Sequence, residues 1–364
     1  MSESSIPTYD LLASTTEIDD IRDYIEDAQI IEFSSDSLLS VHPGKILLND
    51  DKIIALSNGV YQFDTFGNLI GQAGRHGNGP GEYLGISDIC LSNDKTYIFC
   101  LDFQNNILIY DANSLEFIKS IESGLFGMTS EAVVPYQQDG FALLVNNPSD
   151  PSDFENEFFC LKCFDSKGNL VEELLPRDDF NISMSFFSPS TQGYENKYYL
   201  SYIPSEGTFY QIVDGNIRPF VNLSFGNKSL PYRYAIHEGK EPWSYVGDIF
   251  ENGYYKCVST LCSTDELMYC YAFGADNSKF HFLIDQQTGK GIRWKAFNWG
   301  NLMAAIASDN EYFYYSYSAD WEDAKKSPHY SPDILKAALE EKLNLHYTED
   351  DDPVIVKVKY RLND

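Results

Sequence analysis

A short apolar run that ends in aspartate and a turn recurs along this chain, and its spacing restricts the fold more than any other feature. Val60-Tyr61-Gln62-Phe63-Asp64 precedes Gly67-Asn68, and Ile107-Leu108-Ile109-Tyr110-Asp111 precedes Ala112-Asn113. Leu161 to Asp165 precedes Gly168-Asn169, Phe209 to Asp214 precedes Gly215-Asn216, and Phe282 to Asp285 precedes Thr288-Gly289. A sixth run, Val354 to Tyr360, lacks the aspartate. The aspartates lie 47, 54, 49 and 71 residues apart (64 to 111 to 165 to 214 to 285), and Tyr360 follows 75 residues after the last. A period near ~50 residues is that of one four-stranded propeller blade.

Each copy carries further strands around that run. In the second, Asp88–Leu91, Thr96–Leu101, Ile107–Tyr110 and Phe117–Ile121 read as strands, with Asn93-Asp94 and Gln104-Asn105 as turns. Blades cover one another on both faces, so their inner strands should be apolar throughout, as Tyr97-Ile98-Phe99-Cys100-Leu101 is. The 26 Tyr and 24 Phe add to this, since aromatic residues favour pleated surfaces. The expected fold is all-β: a six-bladed β-propeller over residues 29–364, with short helical additions at the amino terminus and in the last blade.

Leu302–Ala307, Tyr312–Tyr317 and Val354–Tyr360 supply three strands of that last blade, and the amino-terminal strand Gln29–Phe33 is expected to complete it. Such pairing removes an open sheet edge. Residues 1–28 form an extension in which Ser14 and Glu17 read as a capping box and Ile18, Ile21 and Ile25 as one helical face. Two insertions are expected, at 226–245 and 319–352. In the second, Ser331-Pro332-Asp333 starts a helix with a stripe of Leu335, Ala338, Leu339 and Leu343.

With 26 basic against 55 acidic residues the formal charge is −29, and no Lys/Arg cluster exists to release counterions from a phosphate backbone. Nucleic acid is therefore not the expected partner; a protein, peptide or carbohydrate is, and the chain is expected to be a monomer. No apolar run approaches the ~18 residues of a membrane span. Met1 to Pro7 is polar and lacks the basic and apolar regions of a signal peptide. The expected location is periplasmic or cell-surface if a signal was trimmed, and otherwise cytoplasmic.

Seven cysteines fall in strand-like runs, at 90, 100, 160, 163, 257, 262 and 270. Cys160 and Cys163 lie three apart in an extended run and so face opposite sides of a sheet, which suits buried thiols and not chelation. The six histidines (42, 76, 237, 281, 329 and 346) show no His-x-x-His or His-Glu-x-x-His spacing, and no Gly-x-Ser-x-Gly elbow appears. No metal and no cofactor are expected.

Gly74-Arg75-His76-Gly77-Asn78-Gly79-Pro80-Gly81-Glu82-Tyr83, with Ile86-Ser87-Asp88-Ile89 and Asp102-Phe103-Gln104-Asn105-Asn106-Ile107 after it, resembles an NHL-type propeller repeat. From about residue 29 onward the chain looks like the six-bladed propeller proteins abundant in Bacteroidetes, the carboxyl-terminal Asp351-Asp352-Pro353-Val354-Ile355-Val356 included. That resemblance implies the fold, and for many members export as lipoproteins. It implies little about activity.

Blade-to-blade crossings and second-to-third-strand turns gather at one face of a propeller, around the channel mouth where ligands bind. The candidate ligand-binding residues on such segments are Arg75, His76, Glu82, Tyr83, Arg177, Tyr232, Arg233 and Trp243, with the helical insertion expected over the same face as a partial lid. Three Arg around an aromatic mouth would suit a carboxylate or acidic sugar. Three readings follow. The first is a non-catalytic binding propeller for a peptide, protein or glycan. The second is a lyase or hydrolase pairing Glu82, Asp178 or Asp179 with His76 or His237. The third is a structural module of a cell-surface assembly. Visible loop aromatics and the absence of a nucleophile or metal set favour the first.

Overall fold

The computed structural model describes residues 6–33, 44–125, 129–146, 158–177, 190–201, 207–230, 251–255, 257–274, 278–296, 304–319, 325–326, 333–348 and 351–362. The amino-terminal segment contributes β1 (Thr8–Asp10), the short helix α1 (Leu11–Ser14), β2 (Thr15–Glu17) and β3 (Ile25–Ile31). The first full sheet is β4 (Lys45–Asn49), β5 (Lys52–Leu56), β6 (Val60–Asp64) and β7 (Leu69–Ala73). A crossing with the two-residue strands β8 (Arg75–His76) and β9 (Glu82–Tyr83) leads to β10 (Ile86–Leu91), β11 (Tyr97–Asp102), β12 (Asn106–Asp111) and β13 (Phe117–Glu122). The next sheet is β14 (Thr129–Tyr136), β15 (Gly140–Asn146), β16 (Phe158–Phe164) and β17 (Leu170–Arg177).

Then follow β18 (Ser190–Gln192), β19 (Tyr198–Leu200), β20 (Thr208–Val213) and β21 (Asn216–Ser224), with β1 added parallel to β21. β22 (Cys257–Ser263), β23 (Leu267–Phe273), β24 (Lys279–Asp285) and β25 (Gly291–Ala296) come next, with β2 added parallel to β25. The chain closes with β26 (Ala305–Ser308), β27 (Phe313–Tyr317), helix α2 (Ile334–Leu343) and β28 (Val354–Tyr360). β28 pairs antiparallel with β3, Ile355 opposite Ile31 and Val358 opposite Ala28. The β18–β21 and β26–β28 groups are joined into one sheet by a single parallel pair, Gln192 with Ala307.

Every full sheet is an antiparallel meander whose first strand lies inside. Those first strands pack in cyclic succession: β4 on β10, β10 on β14, β14 on β18, β18 on β22, β22 on β26, and β26 back on β4. The molecule is an all-β propeller. Middle strands are buried on both faces, as the pattern of Ile98 to Leu101 and the wholly buried Leu267–Phe273 show.

The repeated aspartates close the third-to-fourth-strand turns. Asp64 Oδ1 accepts from Phe66 N and Asn68 N, both at 2.9 Å, while its Oδ2 takes Asn68 Nδ2 at 2.8 Å. Asp165 repeats all three bonds with Lys167 and Asn169. Gly67 has φ of 90°, and a Cβ there would sit 2.0 Å from the Glu32 carbonyl oxygen, so the turn admits no side chain at that place. Asp214 departs from the repeat. It is itself a turn residue with φ of 50°, followed by Gly215 at 67°, and Val213 pairs directly with Asn216 in a two-residue hairpin.

On the axis, Lys45 Nζ donates to Asp88 Oδ1 and to Ser190 Oγ, each at 2.7 Å, and Asp88 Oδ2 accepts from Val133 N at 2.9 Å. These four residues come from β4, β10, β14 and β18, and Lys45 and Asp88 are each 2% exposed. Burial pushes the Asp88 carboxyl up, with Lys45 and the Val133 amide pulling against it. Cys90, Cys100, Cys160, Cys163, Cys262 and Cys270 are free and buried, and burial pushes the Cys163 and Cys262 thiols up to about 12. Among the described residues no helix is long and apolar enough to cross a membrane.

Three local expectations are corrected. The helix expected over Ser14–Ile25 is absent: α1 ends at Ser14 and is capped by Asp10, and Thr15–Glu17 is strand. The backbone of this stretch finds hydrogen-bond partners on the edge of β25, which outweighs a weak helical signal in so short a segment. Ile18, Ile21 and Ile25 still share one apolar cluster, with a single 3-10 turn at Arg22–Tyr24 between the last two. The ring-closing strand starts at Ile25 and ends at Ile31, earlier than Gln29–Phe33, and Phe33 instead stacks on Phe63 at 4.1 Å. Helix α2 is capped by Asp333 and buries Leu335, Ala338 and Leu339, but against the outer strands β3 and β25, so it is not a lid over the channel mouth. Its apolar stripe has a groove between two blades to fill.

Removing one partner of the axial pair leaves a buried charge, so Lys45→Met or Asp88→Leu should each lower unfolding free energy by about 3–5 kcal/mol in urea titrations. The double variant should cost less than the two singles added; simple additivity would contradict the coupling. Deleting residues 1–33 should lower the thermal midpoint by roughly 5 °C or more, and deleting residues 1–17 by less. An unchanged midpoint for the longer deletion would show that β3 closes nothing.

Candidate functional site

In an antiparallel meander, second-to-third-strand turns and the crossings to the next sheet share one end, opposite the aspartate turns. The glycine-rich crossing from β7 to β10 therefore lies beside the β11–β12 turn. Gly74 takes φ of 65° and Gly81 of 73°, and a Cβ on Gly74 would sit 2.4 Å from Tyr110 Oη. That hydroxyl donates to the Gly81 carbonyl at 3.0 Å, fastening the crossing to β12. β8 and β9 pair in parallel, Arg75 with Glu82 and His76 with Tyr83.

Glu82 is engaged on both oxygens. Oε2 accepts from Gly79 N at 2.8 Å and Oε1 from Arg75 Nε at 2.6 Å. The Gly79 amide first, and Arg75 second, hold its carboxyl below the usual range. The Tyr83 hydroxyl donates to the Ala73 carbonyl and accepts from Val60 N, both at 3.2 Å, and burial pushes its phenol up. Arg75 and His76 are exposed. Of the expected site residues, these four share the crossing. Arg177 ends β17, opposite Phe158 in the ladder. Tyr232, Arg233 and Trp243, like Asp178, Asp179 and His237, lie outside the described residues.

The crossing and the β11–β12 turn enclose a cleft of about 230 Å³. Glu82 and Tyr83 line it; Arg75 and His76 do not. Its remaining wall includes Leu84, Phe103, Ser120 and Glu122, with Phe103 72% and Leu84 55% exposed. The Phe103 ring lies over Gly85, where a Cβ would come within 2.2 Å of it. Asp102 is occupied: Oδ1 accepts from Gln104 N and Asn106 N at 2.8 Å, and Oδ2 from Asn106 Nδ2 at 3.1 Å. Leu84 and Phe103 escaped the sequence reading because they sit in segments that read as turn; an apolar side chain at a turn tip was the available signal.

Two buried constellations resemble catalytic ones and are not placed to act. A serine beside a lysine is a nucleophile–base combination, but the Lys45 ammonium is committed to Asp88, and Ser190 is 0% exposed. Tyr269 Oη lies 2.7 Å from His281 Nδ1, and His281 Nε2 lies 3.1 Å from Asp333 Oδ2. His281 is also wholly buried, stacked on Trp294 at 4.9 Å, and through Asp333 it anchors the start of α2. A second cleft, about 280 Å³, lies among Glu32, Phe33, His346, Tyr347 and Asp351. There burial and then Glu32 push the Tyr347 phenol up to about 12. Among the described residues no group of three or more His, Cys, Asp or Glu is arranged to hold a metal ion. The glycine crossing offers apolar surface and fixed acceptors; of the acids lining the cleft, Glu82 and Asp102 are engaged by neighbouring donors, and Glu122 stands beside them.

No curated protein matches the chain. A Bacteroides fragilis protein whose description suggests export superposes with a TM-score of 0.72 at 16% identity, over 98% of this chain and 100% of that one. Structures described as U3-55K and as the RRP9 WD40 repeats align at 9% identity each, with TM-scores of 0.44 and 0.43. They cover 92% and 93% of this chain, and 98% and 99% of theirs. At such identities a likeness speaks for fold alone. The profile of a family described as a domain of unknown function, DUF4934, matches residues 8–359, and the chain belongs to that family.

Proposed function

We propose that this chain is a six-bladed, non-catalytic binding propeller that recognises a peptide, protein or glycan on its crossing face. The cyclic succession of first strands β4, β10, β14, β18, β22 and β26 supports the count of six, with β3 as the outer strand of the last blade. The NHL-type likeness of the glycine crossing fits the same count.

The observation that carries the binding reading is the cleft under the glycine crossing. Its exposed Phe103 and Leu84 stand on a backbone pinned by Asp102, Tyr83 and Tyr110. A rigid aromatic ring offers contact area at small entropic cost. Arg75 is drawn to Glu82, which weakens the acidic-ligand reading of the three arginines at this place. His76, Arg177, Tyr232, Arg233 and Trp243 complete the proposed surface. The description of the B. fragilis relative favours a periplasmic or cell-surface location.

A thermal-shift screen of oligosaccharides, basic peptides and acidic peptides tests this, because a ligand selective for the native state raises the midpoint. At least one class should stabilise the chain, and Phe103→Ala should weaken that hit about tenfold, roughly 1.4 kcal/mol, with the ligand-free midpoint unchanged. If no class stabilises the chain, or if the hit is indifferent to Phe103→Ala and Arg233→Ala, the crossing face is not the binding face.

A further inference from the structure

The cleft under the glycine crossing is lopsided in charge, and the strand ladder explains part of this. Asn106 faces Glu122 and Leu108 faces Ser120 across β12 and β13, so these four side chains share the sheet face that walls the cleft. The same alternation sends Lys119 to the opposite face, where its ammonium reaches the Ser166 carbonyl. Leu108 is buried, whereas Ser120 and Glu122 are exposed.

The other walls add Glu82 from the crossing and Asp102 and Phe103 from the β11–β12 turn. Among the described residues the lining thus holds three carboxylates and no Lys, Arg or His. Arg75 answers the charge of Glu82 from outside the cleft. Asp102 is held by amide donors alone, which leave its charge in place. Glu122 has neither an ion pair nor a side-chain hydrogen bond among the described residues. The turn that carries Phe103 is also fastened on its far side. Asn105, left-handed at φ of 65°, donates from Nδ2 to the Leu125 carbonyl at 3.2 Å and accepts on Oδ1 from Ser130 N at 2.9 Å.

We propose that this cleft takes an arginine side chain from an extended segment of a partner protein, its guanidinium lying on the Phe103 ring and pairing with Glu122. The inference rests on the binding reading above and narrows it to one ligand chemistry. A cation gains both from the face of an aromatic ring and from carboxylates without a counter-charge. A planar guanidinium can stack and still present its N–H fork, which a lysine ammonium cannot do. An acidic ligand would meet carboxylates with no lining cation to offset them, and a neutral sugar would leave Asp102 and Glu122 uncompensated. At about 230 Å³ the cleft is smaller than the roughly 300–1,000 Å³ of a small-molecule pocket, a scale that suits one long side chain. The formal charge of −29 draws basic partners to the chain at large.

The test is calorimetric titration of the intact chain with a blocked pentapeptide holding one arginine between glycines. Counterparts carry citrulline, lysine or glutamate at that place, and chitohexaose serves as the glycan probe. The arginine peptide should bind, and the citrulline peptide, equal in shape but uncharged, should bind about tenfold more weakly. Glu122→Gln should weaken the arginine peptide by about the same factor while leaving the citrulline peptide and the thermal midpoint unchanged. Equal affinity for arginine and citrulline, lysine binding as tightly as arginine, or indifference to Glu122→Gln would overturn this inference; if Phe103→Ala still abolished binding, the cleft itself would stand. Chitohexaose bound through Phe103 without any arginine-peptide binding would also overturn it, naming a glycan as the occupant. Binding by none of the probes, or binding indifferent to Phe103→Ala, would overturn both readings.

Discussion

The architecture depends on one pairing distant in sequence, that of β3 with β28. A sheet ring built from consecutive meanders must be closed somewhere, and an unclosed last blade would leave the apolar edge of β28 open. Here Ile25 and Ala28 of β3 are buried with Val354, Val356 and Val358 of β28 on one face of the seam, and Ile31 with Ile355 on the other. The axial Lys45–Asp88–Ser190 bonds follow from that closure, because residues 145 positions apart meet in a desolvated centre only when the ring is complete. The same amino-terminal segment goes further than closure requires, laying β1 and β2 along the outer edges of two preceding sheets.

The two ends of the ring are built from different chemistry. At one, Asp64, Asp111, Asp165 and Asp285 fold their turns back through their own following amides, and a carboxylate used in that way is unavailable to a ligand. At the other, glycines let the chain cross between blades, and tyrosine hydroxyls pin the crossing from below. Pinning from below leaves the upper surface to side chains with no structural duty, and Phe103 and Leu84 are of that kind. Two of the acids that line it are committed: Gly79 and Arg75 hold the Glu82 carboxyl below the usual range, and Asp102 is taken up by Gln104 and Asn106.

Much of the fold was legible because its signals are local and repeated. The aspartate turns, the apolar middle strands and the closing strand each announce themselves within a few residues. What was illegible depended on contacts that sequence spacing does not encode. Thr15–Glu17 became strand because an edge of β25 was free to receive it, and the helical pattern of Ile18, Ile21 and Ile25 served a cluster of another shape. The stripe of α2 was readable, while the groove between β3 and β25 that receives it was not. The axial triad joins β4, β10 and β18, and nothing near Lys45 marks it as buried. At the site, Glu82 and Tyr83 were found by their glycine context, and Phe103 was missed because its turn was read only as a turn.

Hydrogen exchange followed by mass spectrometry tests ring closure most directly, since strands in one cooperative unit open together. The account predicts that amides of Ala28–Ile31 exchange as slowly as those of Val354–Tyr360, through global unfolding, with both accelerating together under mild denaturant. Exchange of Ala28–Ile31 at the rate of the exposed turns, while Val354–Tyr360 stays protected, would contradict it.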